Sequence, residues 1–524
     1  MSSFNAEHPY RSLPQTPDLG HLREEAKLLK LQAAQGDAGA IAFVHFHREA
    51  QAGAAVQLAD AQFALARAYG FKSWPRLKAF VEAQAVPAHE RGALLLRALF
   101  NDNFALLEEL YARRESLPAE DIFIAAALGN VASVEALLTA DPARATQIGG
   151  PRQTQAITYA AYSRLALLDD SYLERQRKIV MLLLAHGADP NSFVFEQSRG
   201  YEGDGHLSAL YGCCRQPGNP TIAKLLLDAG AKADDGESLY HASELQDPRC
   251  LELLFAAGIP DADRDYCIRR ALDQENPAIL AVYLKNGATA NRLDYALFRN
   301  RSLRIIELLV EHGADLNRPC DDFWLLERIR ELKPLQIAER AGRVDAVDYL
   351  LSKGADDVRT PRDRLIGACA REDEGAVRAI LRAHPDIGRT LTERDHSNIS
   401  TLSRSGQLKS VELMLDAGFN IDARADDLDA TGLHYAASRG DVPMVRLLLA
   451  RGARFDLEHK YGGTPLGTAI HCAAHFRNPG GSYAETVRLL AAAGEPVTGE
   501  QLKFAIENAL NDVADVLKAH GASL

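Results

Sequence analysis

Residues Thr431 to Asp456 read TGLHYAASRGDVPMVRLLLARGARFD. Two short helices and a loop account for this stretch. Leu433, His434, Ala436 and Ala437 make the first helix, with alanine placed where another backbone must come close. Gly440-Asp441 breaks it. Pro443 falls in the first turn of the second helix, where its missing N–H costs nothing. Val445, Leu447, Leu448 and Leu449 give that helix an apolar stripe at helical spacing. Gly452 ends it, because a left-handed cap favours glycine.

A unit this small cannot bury its own apolar face and needs neighbours. The second-helix phrase returns as IVMLLLAHGADPN (179–191), IAKLLLDAGAKAD (222–234), IIELLVEHGADLN (305–317), VELMLDAGFNID (411–422) and further variants. Its capping glycines are Gly187, Gly230, Gly258, Gly287, Gly313, Gly354, Gly418, Gly452, Gly494 and Gly521. One further unit, between Gly354 and Gly418, ends instead at His384-Pro385. The pattern resembles the ankyrin repeat, T-P-L-H-x-A-A, a Gly turn, then V-x-x-L-L-x-x-G-A-x-x-[ND]. Gly432 departs from the motif's Pro, and Arg454 stands where Asp is frequent. The resemblance implies an all-α ankyrin-repeat solenoid of helix-turn-helix repeats with finger loops. It should run over residues 90–524 in about twelve or thirteen degenerate repeats.

The chain has 524 residues, 47% hydrophobic and 25% charged, with a net charge of −12. That charge argues against a general attraction to nucleic acid or anionic membrane. The 7 cysteines are too few and scattered for a disulfide framework. No apolar run approaches the ~18 residues of a membrane span, and the N-terminus lacks an apolar signal core. A cytoplasmic location is the expectation.

Ahead of the repeats, residues 1–20 are polar and Pro-rich and read as a flexible arm. Residues 21–88 read as a small helical domain. Its first helix carries Leu22, Ala26, Leu29 and Ala33 on one face. A second begins at Ala38, a third runs from Leu58 to Tyr69, and Ser73 caps a fourth with Leu77, Phe80 and Val81 inward. The phrase LADAQFALARAYGFKSWPRLKAFVE (58–82) is similar to a segment found ahead of ankyrin repeats in bacterial proteins, which implies a bacterial source. Insertions are expected at 162–178 and 476–483. Two fingers are long, 190–207 and 318–333, whereas His459 to Gly463 makes a short one.

Candidate chemistry is sparse. Cys213, Cys214 and Cys369 fall on the motif's alanine positions and read as buried packing residues. His434 is the motif's own histidine. His471 and His475 share a helix face and could grip a metal if His434 supplied a third ligand. No phosphate-binding glycine loop or nucleophile signature is present. Arg299, Arg301 and Arg304, and likewise Arg359, Arg362 and Arg364, read as solvated faces. The expected function is therefore non-enzymatic: a scaffold binding a protein partner with a basic patch, without cofactor, through its fingers and concave face. Partner-binding residues would be Tyr201, Asp204, His206, Trp324, Arg424, Asp426, Asp427, His459, Lys460 and Tyr461. A toxin-neutralising protein, a host-directed bacterial protein and a metal-dependent enzyme are the alternatives.

Overall fold

The computed structural model describes residues 4, 9–14, 16–48, 56–100, 103–195, 205–321, 329–425, 428–508 and 510–524. The chain forms two compact units, Met1–Ala288 and Thr289–Leu524. The first opens with α1 (Leu19–Ala34), α2 (Ala38–His47), α3 (Leu58–Ala68) and α4 (Trp74–Ala85). Leu22, Ala26, Leu29 and Ala33 are the buried face of α1, as their spacing requires. Within the expected arm, Phe4 is buried against Phe43 of α2, and the Arg11 guanidinium lies over both rings while pairing with Glu25 of α1. Ser73 starts α4 by backbone geometry alone, with no side-chain cap bond. The helix then packs on Phe104–Ala112.

Helix pairs follow. In the first unit the first helices stack in series: Ile122–Leu128, Ala156–Tyr162, Ala209–Cys214, Ser238–Ala242 and Asp261–Asp273. The second helices stack beside them, from Val131–Ala140 to Pro277–Lys285. The second unit repeats the scheme. Leu293–Phe298, Pro334–Arg340 and Pro361–Ala370 stack in turn, and Asn398–Ser405, Gly432–Arg439, Pro465–His475 and Gly499–Glu507 form a second run. Residues 162–178, expected as an insertion, contain a short 3-10 turn and the start of a longer second helix, Tyr172–Ala185. Buried Tyr172 anchors that helix by donating to the Ala127 carbonyl at 2.6 Å.

All ten capping glycines have positive φ. In nine of them the next N–H reaches back to a carbonyl in the last helical turn, as Ala453 does to Leu448 at 3.0 Å and Ala188 to Leu183 at 2.9 Å. This closure satisfies a helix-end carbonyl that would otherwise be orphaned, and it needs the left-handed residue before it. Gly258, followed by Ile259-Pro260, is the exception. The residue after the glycine is carried inward, which suits alanine: Ala288, Ala314, Ala355 and Ala453 are all buried. First helices end the same way at Gly129, Gly342, Gly406 and Gly440. Asn300 and Glu372 take the left-handed role where glycine is missing.

Two glycines separate the cost of conformation from the cost of space. A Cβ on Gly452 would meet nothing within 4 Å, whereas one on Gly440 would lie 2.9 Å from the Ser482 nitrogen and 3.0 Å from the Gly481 Cα. Gly452→Ala is therefore expected to lose only the left-handed preference, about 1 kcal/mol. Gly440→Ala should lose clearly more, because backbone must move. Urea unfolding of the two variants side by side checks this, and equal losses would contradict it.

Candidate functional site

The first long finger closes as an antiparallel hairpin of β1 (Phe193–Phe195) and β2 (His206–Ser208), with Phe195 opposite His206 and Val194 opposite Leu207. Strand alternation allows one of three consecutive apolar residues to face the body. That residue is Val194, which is buried; Phe193 and Phe195 are left in solvent. The His206 ring sits 4.3 Å from Phe193 and 5.4 Å from Phe195, completing an exposed aromatic face. Ser208 fixes the hairpin's base by accepting the Tyr211 N–H, which caps the following helix. Tyr201 and Asp204 lie outside the described residues.

In the second unit β3 (Arg424–Ala425) and β4 (Ala430–Thr431) form another hairpin. Arg424 donates to the Asp429 carbonyl at 2.9 Å, to the Asp429 carboxylate at 2.6 Å and to the Glu458 carbonyl at 2.9 Å. It clasps neighbouring fingers together and spends its charge there. The Lys460 N–H adds a second tie by donating to the Leu428 carbonyl at 2.9 Å. His459 folds its own finger by donating its N–H to Gly463, with its ring 5.4 Å from His434. Tyr461, at the tip, is 75% exposed. Asp426 and Asp427 lie outside the described residues, and so does Trp324 of the 318–333 finger. That finger is pinned at its base by paired bonds between Cys320 and residues Glu331 and Leu332.

A third feature was not read from the sequence. The first helix Pro361–Ala370 is capped by Thr360, and a separate one-turn helix, Glu393–His396, capped by Thr392, precedes Asn398–Ser405; each Thr is followed by an aspartate at the third helical position, Thr-Pro-Arg-Asp and Thr-Glu-Arg-Asp. Both aspartates close capping boxes with their threonines and are buried. Arg340, from the helix before, bridges them: Nε to Asp363 at 2.5 Å and Nη1 to Asp395 at 2.7 Å. Burial pushes the Asp363 carboxyl up, but the Arg340 charge and bonds from Thr360 and Gln336 outweigh it, leaving its pKa below the ordinary value. Arg359 corrects an expectation outright. Its side chain is only 12% exposed, held by buried Glu339 and by Asp357, so it is no solvated residue. Arg304, by contrast, does pair with Glu307 and Glu311 on an exposed face. Above Arg340 lies a groove of about 520 Å³, with Arg362 and Arg394 on its walls.

The sequence profile described as ankyrin repeats matches residues 399–501, in three copies. Those residues are ankyrin repeats. The chain is 32% identical to human "Ankyrin repeat and SOCS box protein 16", over 38% of this chain and 46% of that one. To mouse Inversin it is 28% identical, over 36% of this chain and 18% of that one. The chain thus spans less than half the length of these curated relatives. A solved ankyrin repeat domain from Acinetobacter baumannii is 25% identical, with 36% of this chain and 98% of that one covered and a TM-score of 0.28.

The ankyrin histidine, His434, is buried with both ring nitrogens engaged. Nδ1 accepts from Thr431, and Nε2 donates to the Gly463 carbonyl at 3.1 Å. It has no lone pair to offer a metal, so it cannot join His471 and His475 as a third ligand. Burial lowers its pKa to about 4, aided by the nearby His459 and Arg424. Cys213, Cys214 and Cys369 are fully buried free thiols, and burial pushes Cys369 up to about 12. The sequence also gave no warning of Glu495. It follows Gly494, at the place where alanine usually stands, and is buried there. One oxygen accepts the Leu466 N–H at 3.0 Å, and the other has no bonding partner among the described residues. Burial pushes its pKa up to about 7.

These shifts give opposite pH dependences. His434 has a folded pKa below its ordinary value near 6.5, so its contribution is present above that pH and is lost as pH falls through about 4. Glu495 has a folded pKa above its ordinary value near 4.5, so its contribution is present below that and lost as pH rises through about 7. Glu495→Gln is expected to raise Tm at about pH 8 and change it little at about pH 5. An equal effect at both pH values, read by thermal melting, would refute the assignment. Arg340→Met leaves two buried carboxylates uncompensated and should cost on the order of 3–5 kcal/mol, measured by urea unfolding.

Proposed function

We propose that this chain is a non-enzymatic scaffold that holds a protein partner through its finger hairpins and the adjoining faces of its first helices. The observation that carries the reading is the exposure of large aromatic side chains on pinned hairpins: Tyr461, Phe193 and Phe195. Such residues offer wide contact area at small entropic cost and are enriched at interface hot spots. His206, His459 and Lys460 flank them. The net charge of −12 favours a partner with a basic patch, through faster encounter. The bacterial, cytoplasmic setting is proposed from the 58–82 segment and from the composition. No helix among the described residues is long and apolar enough to cross a membrane.

Tyr461→Ala, and Phe193→Ala combined with Phe195→Ala, separate binding from folding. All three side chains are exposed, so unfolding free energy should stay within about 0.5 kcal/mol of wild type. Affinity for a partner captured by the wild-type chain should fall at least ~10-fold, about 1.4 kcal/mol. If both folded variants bind as the wild type does, the fingers are not the site.

A further inference from the structure

The groove beneath Thr360 and Thr392 carries more than a structural ion network. Its floor is already electrically served. The Asp363 carboxylate accepts from the Thr360 N–H and hydroxyl, from Gln336 and from Arg340. Asp395 accepts from the Thr392 N–H and hydroxyl at 2.9 Å each, and from Arg340. Arg362 adds only a long contact to Asp395 at 3.4 Å, with a second bond to the Thr390 carbonyl. Arg394 donates to the Arg330 carbonyl at 2.8 Å and has no carboxylate partner among the described residues. Two guanidinium groups therefore line one groove with N–H donors to spare, over carboxylates that do not need them.

We propose that this groove takes a carboxylate side chain of a bound peptide segment, held by Arg362 and Arg394. A planar guanidinium matches a carboxylate in a paired, charge-assisted fork, and two of them confer direction as well as charge. The cavity, about 520 Å³, lies in the range of sites that enclose a ligand side chain. The lining holds no aromatic ring for base stacking, and Glu393 stands among it. An extended nucleic acid, which needs a continuous basic track, is disfavoured on both counts. The inference rests on the scaffold reading and gives it a chemical preference: an acidic residue on the partner, in addition to whatever the fingers grip.

Fluorescence polarisation of the full chain tests it, with labelled decapeptides of alternating Glu/Gly, Gln/Gly and Lys/Gly. The Glu peptide should bind saturably and the other two should not. Arg362→Gln with Arg394→Gln should weaken it at least ~10-fold, the corresponding pair of Lys substitutions less, and Glu393→Arg should tighten it. The finger variants should bind the Glu peptide like wild type, which separates this site from the finger reading. Equal binding of Glu and Gln peptides overturns the proposal. So does a folded Arg362→Gln/Arg394→Gln chain that keeps wild-type affinity. Either result leaves the finger reading to stand on its own partner-binding test.

Discussion

The array depends on one way of ending a helix. A residue in the left-handed region turns the chain, and the next N–H closes on a carbonyl of the last helical turn. Because this closure recurs at second helices and at most first helices of the second unit, it fixes where each helix stops and where the next one starts. It also decides which side chain is drawn inward afterwards. Packing of first helix on first helix then follows from small residues at the facing positions, such as Ala436, Ala437, Cys213 and Cys369.

That dependence explains what the sequence could and could not disclose. Glycine is the residue most at ease in the left-handed region, so ten caps were legible from its place at the end of a recurring apolar phrase. Glu372 holds the same conformation without announcing it, since backbone bonds and not its identity stabilise it, whereas Asn300 is of a type that tolerates the left-handed region. Glu495 was illegible for a related reason: the fold buries whatever follows the cap, and a glutamate there looks from sequence like any surface acid.

The candidate surfaces divide in the same way. His459, Lys460 and Tyr461 could be read because a short Gly-bounded loop between two motif units must be a finger. Arg424 could be located but not interpreted, since its acceptors include a carbonyl of the next finger. The ion network of Arg340, Asp363, Asp395, Glu339 and Arg359 joins partners 20, 23 and 55 positions apart. Local charge patterning therefore mistook Arg359 for a solvent-facing residue. The repeated Thr-x-Arg-Asp phrase was the available clue, and its meaning needed the capping boxes at Thr360 and Thr392 to be seen.

The clasp formed by Arg424 has a mechanical side. Neighbouring loops of this array are also tied close to their helices, as where Asp422 accepts the Arg454 N–H at 2.9 Å. Here the guanidinium of one hairpin holds the backbone of the next, and the Lys460 N–H returns the tie to Leu428. A load applied at Tyr461 is therefore shared sideways by two repeats instead of bending one loop about its own stem. The pair is thereby braced sideways, each hairpin limiting the swing of the other.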